Sequence, residues 1–418
     1  MNCRFCKKPL HNKFVDLVNC PPSNSFLTEK ELNEPEVYYP LTTYVCDNCH
    51  LVQIEEYKKA KDIFNNEYVY FSSYSKSWVE HARRYVSAMM ERFKFNEDSF
   101  VIEIASNDGY LLQHFKEQGV PVLGIEPTHN TAEVAILKGI PTLTEYFGAA
   151  TAQQLADNKR KGDLLIGNNV LAHVPDINDF VEGLKVALNQ NGVITMEFPH
   201  LLRLVEDCQF DTIYHEHFSY LSFTTVQKIF GAHGLELFDV EEVSTHGGSL
   251  RIFAKHQTDE SKAISPRVAA MLQKEEQAGV TTTAYYENFQ ERVDQIKYDF
   301  LDFLLEQKRA GKKVIGYGAA AKGNTLLNYA GIKGCDLLQF VVDAAPSKQN
   351  KFLPGSHIPV YDEAKIAEFQ PDYIIILPWN LKNEVMEQLK YVQEWGCQFV
   401  TCVPGIKVYD ARLAEATF

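Results

Sequence analysis

The sequence predicts an α/β chain with two open, mostly parallel sheets in series, placed behind a small metal-stapled lobe. Three observations carry this expectation. Two C-x2-C pairs, Cys3–Cys6 and Cys46–Cys49, bracket the first 49 residues. Near residue 100 a short apolar strand enters a tight turn, then a helix, then a second strand ending in an acid, which is the order of a βαβ unit. The same order starts again at Lys312 after a long helical stretch.

The bulk numbers fit that outline. A chain of 418 residues is long enough for two or three domains, and 45% hydrophobic with 23% charged residues is the balance of a globular protein with full cores. A formal net charge of −14 argues against sequence-independent nucleic-acid binding, which needs a basic face, but leaves room for a local basic pocket. MNCRFCKKPL has no apolar core of the kind a signal peptide needs, and no apolar run approaches a membrane span. Nine cysteines, an odd number, suit a reducing compartment better than a disulfide scaffold. The expectation is a cytoplasmic monomer with neither nucleic acid nor membrane as partner.

In the first lobe each C-x2-C knuckle supplies two thiolates, and the pair completes a tetrahedral Zn2+ site from Cys3, Cys6, Cys46 and Cys49. Four sulfurs leave no open coordination position, so the metal is expected to staple a segment too short to fold alone. His11 and His50 are weaker substitutes for a cysteine. Pro21-Pro22-Ser23, Pro35 and Pro40 predict loops and edge strands between the knuckles. That stretch is acidic and lacks a Lys/Arg stripe, unlike a nucleic-acid module.

The connector YVYFSSYSKSWVEHARRY gathers Tyr68, Tyr70 and Tyr74 with three serines, able to present phenols to a pocket. Trp78, His81, Ala82, Tyr85, Val86 and Met89 then recur at helical spacing, with Ser77 as the expected N-cap. Phe100–Ile104 is the first strand, the turn runs Ala105-Ser106-Asn107-Asp108-Gly109, a helix covers Tyr110–Gln118, and Val120–Ile125 ends in Glu126. The turn is not G-x-G-x-x-G and is ringed by acids, Glu103 and Glu126 among them. It suits a cationic cofactor with an amino-acid tail, S-adenosylmethionine, better than a pyrophosphate. Strands at Ile140–Phe147, Asp163–Gly167 and Gly192–Phe198 continue the sheet, and a helix is expected over Ile177–Leu188. Open α/β sheets bind ligands beyond the carboxyl ends of their strands. Ala105, Asn107, Gly109, Asn168, His173, Phe198 and His200 fall at or beside such ends.

The stretch DTIYHEHFSYLS packs Tyr214, His215, Glu216, His217 and Tyr220 into seven residues, the raw material of general acid–base chemistry. A helix over Thr224–Gly234 and antiparallel strands Leu235–Val240 and Ser249–Lys255 then close the sheet. Arg251 is expected in a structural ion pair.

The motifs CxxC…CxxC, YVYFSSYSKSWVEHA, VIEIASNDGYLL, GIEP, NVLAHVPD, FDTIYHEHFSYLS and HGGSLRIF together resemble the nucleotide-sugar C-methyltransferases, over nearly the whole chain. The resemblance implies a class I S-adenosylmethionine-dependent methyltransferase fold flanked by a zinc-binding lobe and a second Rossmann-like domain. It implies methylation of carbon 3, beside the 4-keto group, on a dTDP-linked or similarly activated deoxysugar. It implicates His217 as the base, with Tyr214, Glu216 and His173 nearby and a tyrosine from the pair Tyr68 and Tyr70. His215 is left as a structural residue. The chemistry agrees: a carbon nucleophile needs a base near neutral pKa and donors for the enolate oxygen.

In the last third, Phe289, Val293, Ile296, Phe300, Phe303 and Leu304 form a helical packing stripe. A strand at Lys312–Gly316 then enters Tyr317-Gly318-Ala319-Ala320-Ala321-Lys322-Gly323-Asn324, an altered glycine turn with a lysine, suited to a diphosphate. Strands Leu337–Val342 and Tyr373–Leu377 follow. Tyr317, Gly318, Lys322, Asn324 and Lys351 are expected to hold the nucleotide of the substrate. The expected boundaries are 1–66, 67–264 and 265–418. Two rival readings are an NAD-dependent nucleotide-sugar dehydrogenase or epimerase, and a non-catalytic zinc-containing interaction protein.

Overall fold

The structure is a computed structural model that describes residues 1–59 and 71–410. Its contacts divide the chain into two units. One comprises Met1–Asn12, Tyr44–Leu202 and Glu216–Tyr285; the other comprises Lys13–Thr43, Arg203–His215 and Tyr286–Phe418. Strands β1 (Asn12–Cys20) and β2 (Tyr39–Val45) lie between the two cysteine knuckles.

In the first unit each knuckle is closed by the residue after its second cysteine. Lys7 and His50 adopt left-handed φ of 61° and 65°, and their amides donate to the carbonyls of Cys3 and Cys46 at 3.0 and 2.8 Å. His50 therefore serves as a turn residue, and the four-sulfur cluster includes neither His50 nor His11. Strand β3 (Val52–Ile54) leaves the second knuckle and pairs antiparallel with β9 (Ser219–Tyr220), setting Val52 opposite Tyr220.

The main sheet of this unit follows from short runs of β-branched residues, buried on both faces as parallel strands are. It is built from β4 (Val101–Ile104), β5 (Val122–Ile125), β6 (Thr142–Leu143), β7 (Gly162–Asn168), β8 (Leu188–Pro199), β10 (Leu235–Val243) and β11 (Ser249–His256). The order is β10-β11-β8-β7-β4-β5-β6, with β11 antiparallel to both neighbours and the other neighbouring pairs parallel. The expected third strand is much shorter than Ile140–Phe147: the chain turns where the Glu145 amide donates to the Leu143 carbonyl, and as an edge strand it has only β5 to pair with.

Helix α1 (Lys76–Phe93) buries Ala82, Tyr85, Val86 and Met89, a single face at helical spacing. Its N-cap is Ser75, two residues before the expected Ser77, because the Ser75 hydroxyl accepts from the Trp78 amide at 3.2 Å. Tyr85 lies in one core with Phe115, Phe238 and Phe253, and its hydroxyl is 2.6 Å from that of Thr195. Helix α2 (Leu112–Glu117) joins β4 to β5, α3 (His129–Leu137) and α4 (Ala149–Asp157) follow, and α5 (Ile177–Ala187) joins β7 to β8 with Asp176 as its cap. Helices α6 (Phe223–Ala232) and α7 (Pro266–Ala278) complete the unit.

The second unit carries a sheet of β12 (Val314–Tyr317), β13 (Val341–Val342), β14 (Lys351–Phe352), β15 (Pro359–Tyr361), β16 (Tyr373–Ile376), β17 (Gln398–Thr401) and β18 (Lys407–Asp410). Its order is β14-β15-β13-β12-β16-β17-β18, parallel in the middle and antiparallel at both edges. Helix α8 (Phe289–Arg309) buries the expected stripe of Phe289, Val293, Ile296, Phe300 and Leu304, and the Phe14 ring stacks on Phe289 at 4.4 Å. Helix α9 (Ala321–Tyr329) follows β12 directly. The α/β expectation, with two Rossmann-like sheets behind a four-cysteine lobe, matches the fold. Among the described residues no helix is long and apolar enough to cross a membrane.

Candidate active site

The four cysteine sulfurs lie within 4.8 Å of one another, with Cys3–Cys49 and Cys6–Cys46 each at 3.5 Å. A zinc–sulfur bond of about 2.3 Å in a tetrahedron implies sulfur–sulfur edges of about 3.8 Å, so the cluster is the right size for one ion. Cys3, Cys46 and Cys49 are buried, as befits a closed structural site.

The first sheet reverses its strand order between β4 and β7, and the carboxyl ends of those strands form the crevice where open α/β sheets take ligands. Glu103 closes β4 at 1% exposure, and its Oε2 has no protein partner. Burial, then the nearby Asp108 and Glu126, push the Glu103 carboxyl well above the usual range, against a hydrogen bond from Tyr110. The turn after β4 is held open by left-handed φ at Ala105 (53°), Asn107 (49°) and Gly109 (74°). A Cβ on Gly109 would stand 2.4 Å from the flexible end of Ile140, so the left-handed φ of 74°, more than space, favours glycine there. At the end of β5 the Glu126 oxygens accept the amides of Asn107 and Thr128, each at 2.9 Å; the carboxylate thereby pins the turn.

At the end of β7 both amide atoms of Asn168 and the Oδ1 of Asn169 are buried without protein partners. Orphaned acceptors and donors beside acids fit a cationic ligand with an amino-acid tail, which is the donor set S-adenosylmethionine requires. The cofactor candidates Glu103, Ala105, Asn107, Gly109, Glu126 and Asn168 are thus gathered at adjacent strand ends.

Beyond β7 the acid–base candidates converge. The rings of His173 and His217 meet edge to face, with centroids 4.6 Å apart, and Tyr220 lies 6.3 Å from His217. His173 keeps some surface open, yet desolvation pulls its pKa down to about 4 against a hydrogen bond with the Glu216 backbone. It is therefore neutral at pH 7. Glu216 is buried at 4% exposure. Tyr214 and His215 fall in the other unit. There His215 is buried against the Pro40 carbonyl at 3.1 Å, the structural place expected for it. Tyr68 and Tyr70 lie outside the described residues.

Two expected ligand residues are placed elsewhere. Phe198 is fully buried in the core. His200 is 1% exposed with its Nε2 2.6 Å from Glu275, whose carboxylate also accepts the amides of Phe223 and Thr224. Phe198 is held by packing and His200 by its Glu275 partner, with the buried His200 Nδ1 left without one.

Sequence reasoning missed a cluster on the same end of the sheet. Trp78 stacks on His81 at 5.0 Å and meets His246 at 5.2 Å. His246 Nε2 lies 2.6 Å from Asn169 Nδ2, and both residues hold a left-handed φ of 55°. Glu197 pairs with His81 at 3.0 Å and Arg251 at 2.8 Å, and accepts the Thr245 hydroxyl at 2.8 Å. Burial alone would raise that carboxyl, but His81 and Arg251 hold it down to about 2. The glycine pair after His246, and Arg251, which stands in the structural ion pair expected of it, are the sequence signals that pointed here.

In the second unit the crevice falls between β12 and β16. Lys322 lies over the Trp379 ring at 4.6 Å and donates to Asn380 Oδ1 at 2.6 Å. Trp379 Nε1 donates to Asp211 at 2.7 Å, and the Asp211 charge opposes the fall that burial imposes on the Lys322 ammonium. Lys322 is thus engaged by Asn380 and Trp379, with the Asp211 charge acting on it. Tyr317 is buried and donates to Glu363. Gly318 has a φ of 87°, and a Cβ there would stand 2.5 Å from the Pro378 ring. Asn324 is 1% exposed with neither amide atom partnered, and Lys351 is half-buried on β14.

Comparison with known proteins matches three family models in order: a zinc binding domain over residues 3–64, a methyltransferase domain over 78–240 and a C-methyltransferase C-terminal domain over 244–404. A ubiquinone biosynthesis O-methyltransferase of Bartonella bacilliformis is 26% identical over 95 residues, covering 22% of this chain and 38% of that protein. Among solved structures, the PH0226 protein of Pyrococcus horikoshii covers 45% of this chain and 95% of its own, at 14% identity and a TM-score of 0.38. C-methyltransferase NovU of Streptomyces niveus is 32% identical over 413 residues, 98% of this chain and 97% of that protein. With that span, and with all three regions present, the chain belongs to the S-adenosylmethionine-dependent C-methyltransferases and carries a four-cysteine zinc-binding domain.

Proposed function

We propose that the enzyme methylates carbon 3 of a nucleotide-activated 4-keto-deoxysugar, a dTDP-linked sugar being the first to test, in the making of branched deoxysugars. The observation that supports this most is the His173–His217 pair, 4.6 Å apart, with His173 held neutral at pH 7. Methylation at oxygen or nitrogen needs no carbon acid to be ionised, whereas a carbon beside a ketone does.

In this reading His217 takes the proton from carbon 3, and the electron pair moves onto the keto oxygen. Neutral His173, with a tyrosine hydroxyl from Tyr68 or Tyr70, donates to that oxygen, while Glu216 orients the histidine turn. When held at the ends of β4, β5 and β7, S-adenosylmethionine would supply an electrophilic methyl group whose leaving group is a neutral thioether. The enolate carbon forms the new C–C bond, and the proton leaves on His217. Residues 1–66 carry the metal, 67–264 the methyl donor, and 265–418 the sugar nucleotide. Of the nucleotide-binding candidates there, Asn324, Gly318, Tyr317 and Lys351 stay in the proposal. The dehydrogenase and non-catalytic readings give way to the family assignment.

The test is incubation with labelled S-adenosylmethionine and a panel of 4-keto nucleotide-sugars, followed by location of the label. Transfer to carbon 3 of one member is expected, and label on oxygen or nitrogen overturns the reading. Solvent deuterium should enter carbon 3 without methyl donor, and His217→Ala should abolish that exchange while S-adenosylmethionine still binds.

A further inference from the structure

The four-cysteine site has an attachment that a fold staple alone does not require. Arg4 sits inside the first knuckle, between Cys3 and Cys6. Its Nη1 donates to the Pro175 carbonyl at 2.6 Å and its Nη2 to the Ile54 carbonyl at 2.5 Å. The guanidinium also lies over the Phe218 ring at 5.3 Å. Pro175 is two residues beyond His173, and Phe218 is the residue after His217. Arg4 thus touches both segments that carry the histidine pair.

The knuckle and the two segments are tied again by backbone. The Phe218 amide donates to Ala172 at 2.8 Å, and the Ile54 amide to Phe218 at 3.1 Å. Asn178 donates to the carbonyls of Arg4 and Phe5 at 3.2 and 3.0 Å. Gln53, fully buried, accepts the Arg4 amide at 2.8 Å and places its Nε2 3.2 Å from Cys3 Sγ. A rigid fork spanning two carbonyls is arginine's geometry; lysine, a single point donor, cannot bridge them the same way.

We propose that the metal knuckle is a positioning device for the His173–His217 pair, and that Arg4 is the residue through which it acts. This rests on the reading of His217 as the base. A merely structural Arg4 would lower stability but leave the local protection of the two histidine segments and the turnover of folded enzyme unchanged. Placement matters because a shift of about 1 Å in a reacting group costs about 100-fold in rate.

The experiment compares zinc-loaded full-length wild type, Arg4→Lys, Arg4→Met and His217→Ala. The readouts are amide hydrogen exchange of residues 171–178 and 216–220, S-adenosylmethionine affinity, zinc content, and deuterium entry at carbon 3 of the substrate. For Arg4→Met we expect protection in both peptides to fall about 10-fold, and carbon 3 exchange to fall about 10–100-fold, with zinc and methyl-donor binding kept. Arg4→Lys should lie between, and it carries the test if Arg4→Met does not fold. Removing zinc from wild type with a chelator should loosen the same two peptides. Unchanged protection and exchange in both Arg4 variants overturn the proposal. Full carbon 3 exchange in His217→Ala overturns the base assignment instead, and the peptide protection then still decides whether Arg4 braces the segments.

Discussion

The crevice between β4 and β7 and the crevice between β12 and β16 occupy equivalent places in two sheets whose five mutually parallel strands share one order. In the first, the groups at the strand ends are acids and amides, and several of their buried atoms have no protein partner: Glu103 Oε2, Asn168 Oδ1 and Nδ2, and Asn169 Oδ1. In the second, the lysine that follows the glycine turn already faces Asn380, Trp379 and the Asp211 carboxylate. One crevice is prepared for a cation from outside; the other already holds a cation within the field of its own buried anion. Shared topology therefore sets where a ligand could go, and the charge already present sets what can enter.

The largest test of that contrast is Lys322→Met. It strands Asp211, which has no exposed surface, and should cost about 3 kcal/mol of stability by denaturant unfolding, with methyl-donor affinity unchanged. Adding Asp211→Asn should recover most of the loss; no recovery would mean that the two groups are not a pair. The second test is pH. Burial raises the Asp211 carboxyl from 3.8 to about 6, so the folded chain holds that proton longer than the unfolded chain. The stability it contributes is full below about pH 4 and is lost as pH rises through about 6. The stability of wild type relative to Asp211→Asn should fall across that window, and a flat difference would break the assignment.

On the other side of the comparison, Glu103→Gln keeps the shape and removes the charge. S-Adenosylmethionine affinity by calorimetry should fall about 10–100-fold, in keeping with the loss of a charged hydrogen bond, and nucleotide-sugar affinity should hold. The smallest effect separates two turn glycines. In Gly109→Ala the new methyl meets the mobile end of Ile140; in Gly318→Ala it meets the rigid Pro378 ring. Both pay about 1–2 kcal/mol for the left-handed φ, so Gly318→Ala should melt lower than Gly109→Ala.

What could be read from the chain beforehand depended on distance along it. The cysteine knuckles, the acid at the end of β5 and the stripe of α8 are local patterns, and each stands where its spacing put it. Ser75 took the cap from Ser77 because the choice between neighbouring serines rests on one hydroxyl geometry, which spacing does not encode. The pull of the Asp211 charge on Lys322, and the demand of His200 on Glu275, join residues far apart in sequence. A polar residue at a strand end reads the same whether it faces a ligand or a buried partner. Arg4 was invisible for a further reason: its hydrogen-bond partners are main-chain carbonyls, and carbonyls have no letter in a sequence.

The second unit is assembled from three separate stretches, and that has a consequence for how the chain is made. Residues 13–43 are synthesised about 240 residues before Tyr286. At roughly 5–20 residues per second they wait on the order of 10–50 s before the first residue of the helix and sheet that bury them is made. Phe14, whose ring stacks on Phe289, is unshielded throughout that interval. A nascent chain stopped at Tyr285 carries the same exposed surface indefinitely. The order of synthesis, more than the stability of the finished protein, therefore sets when this enzyme is most exposed to aggregation.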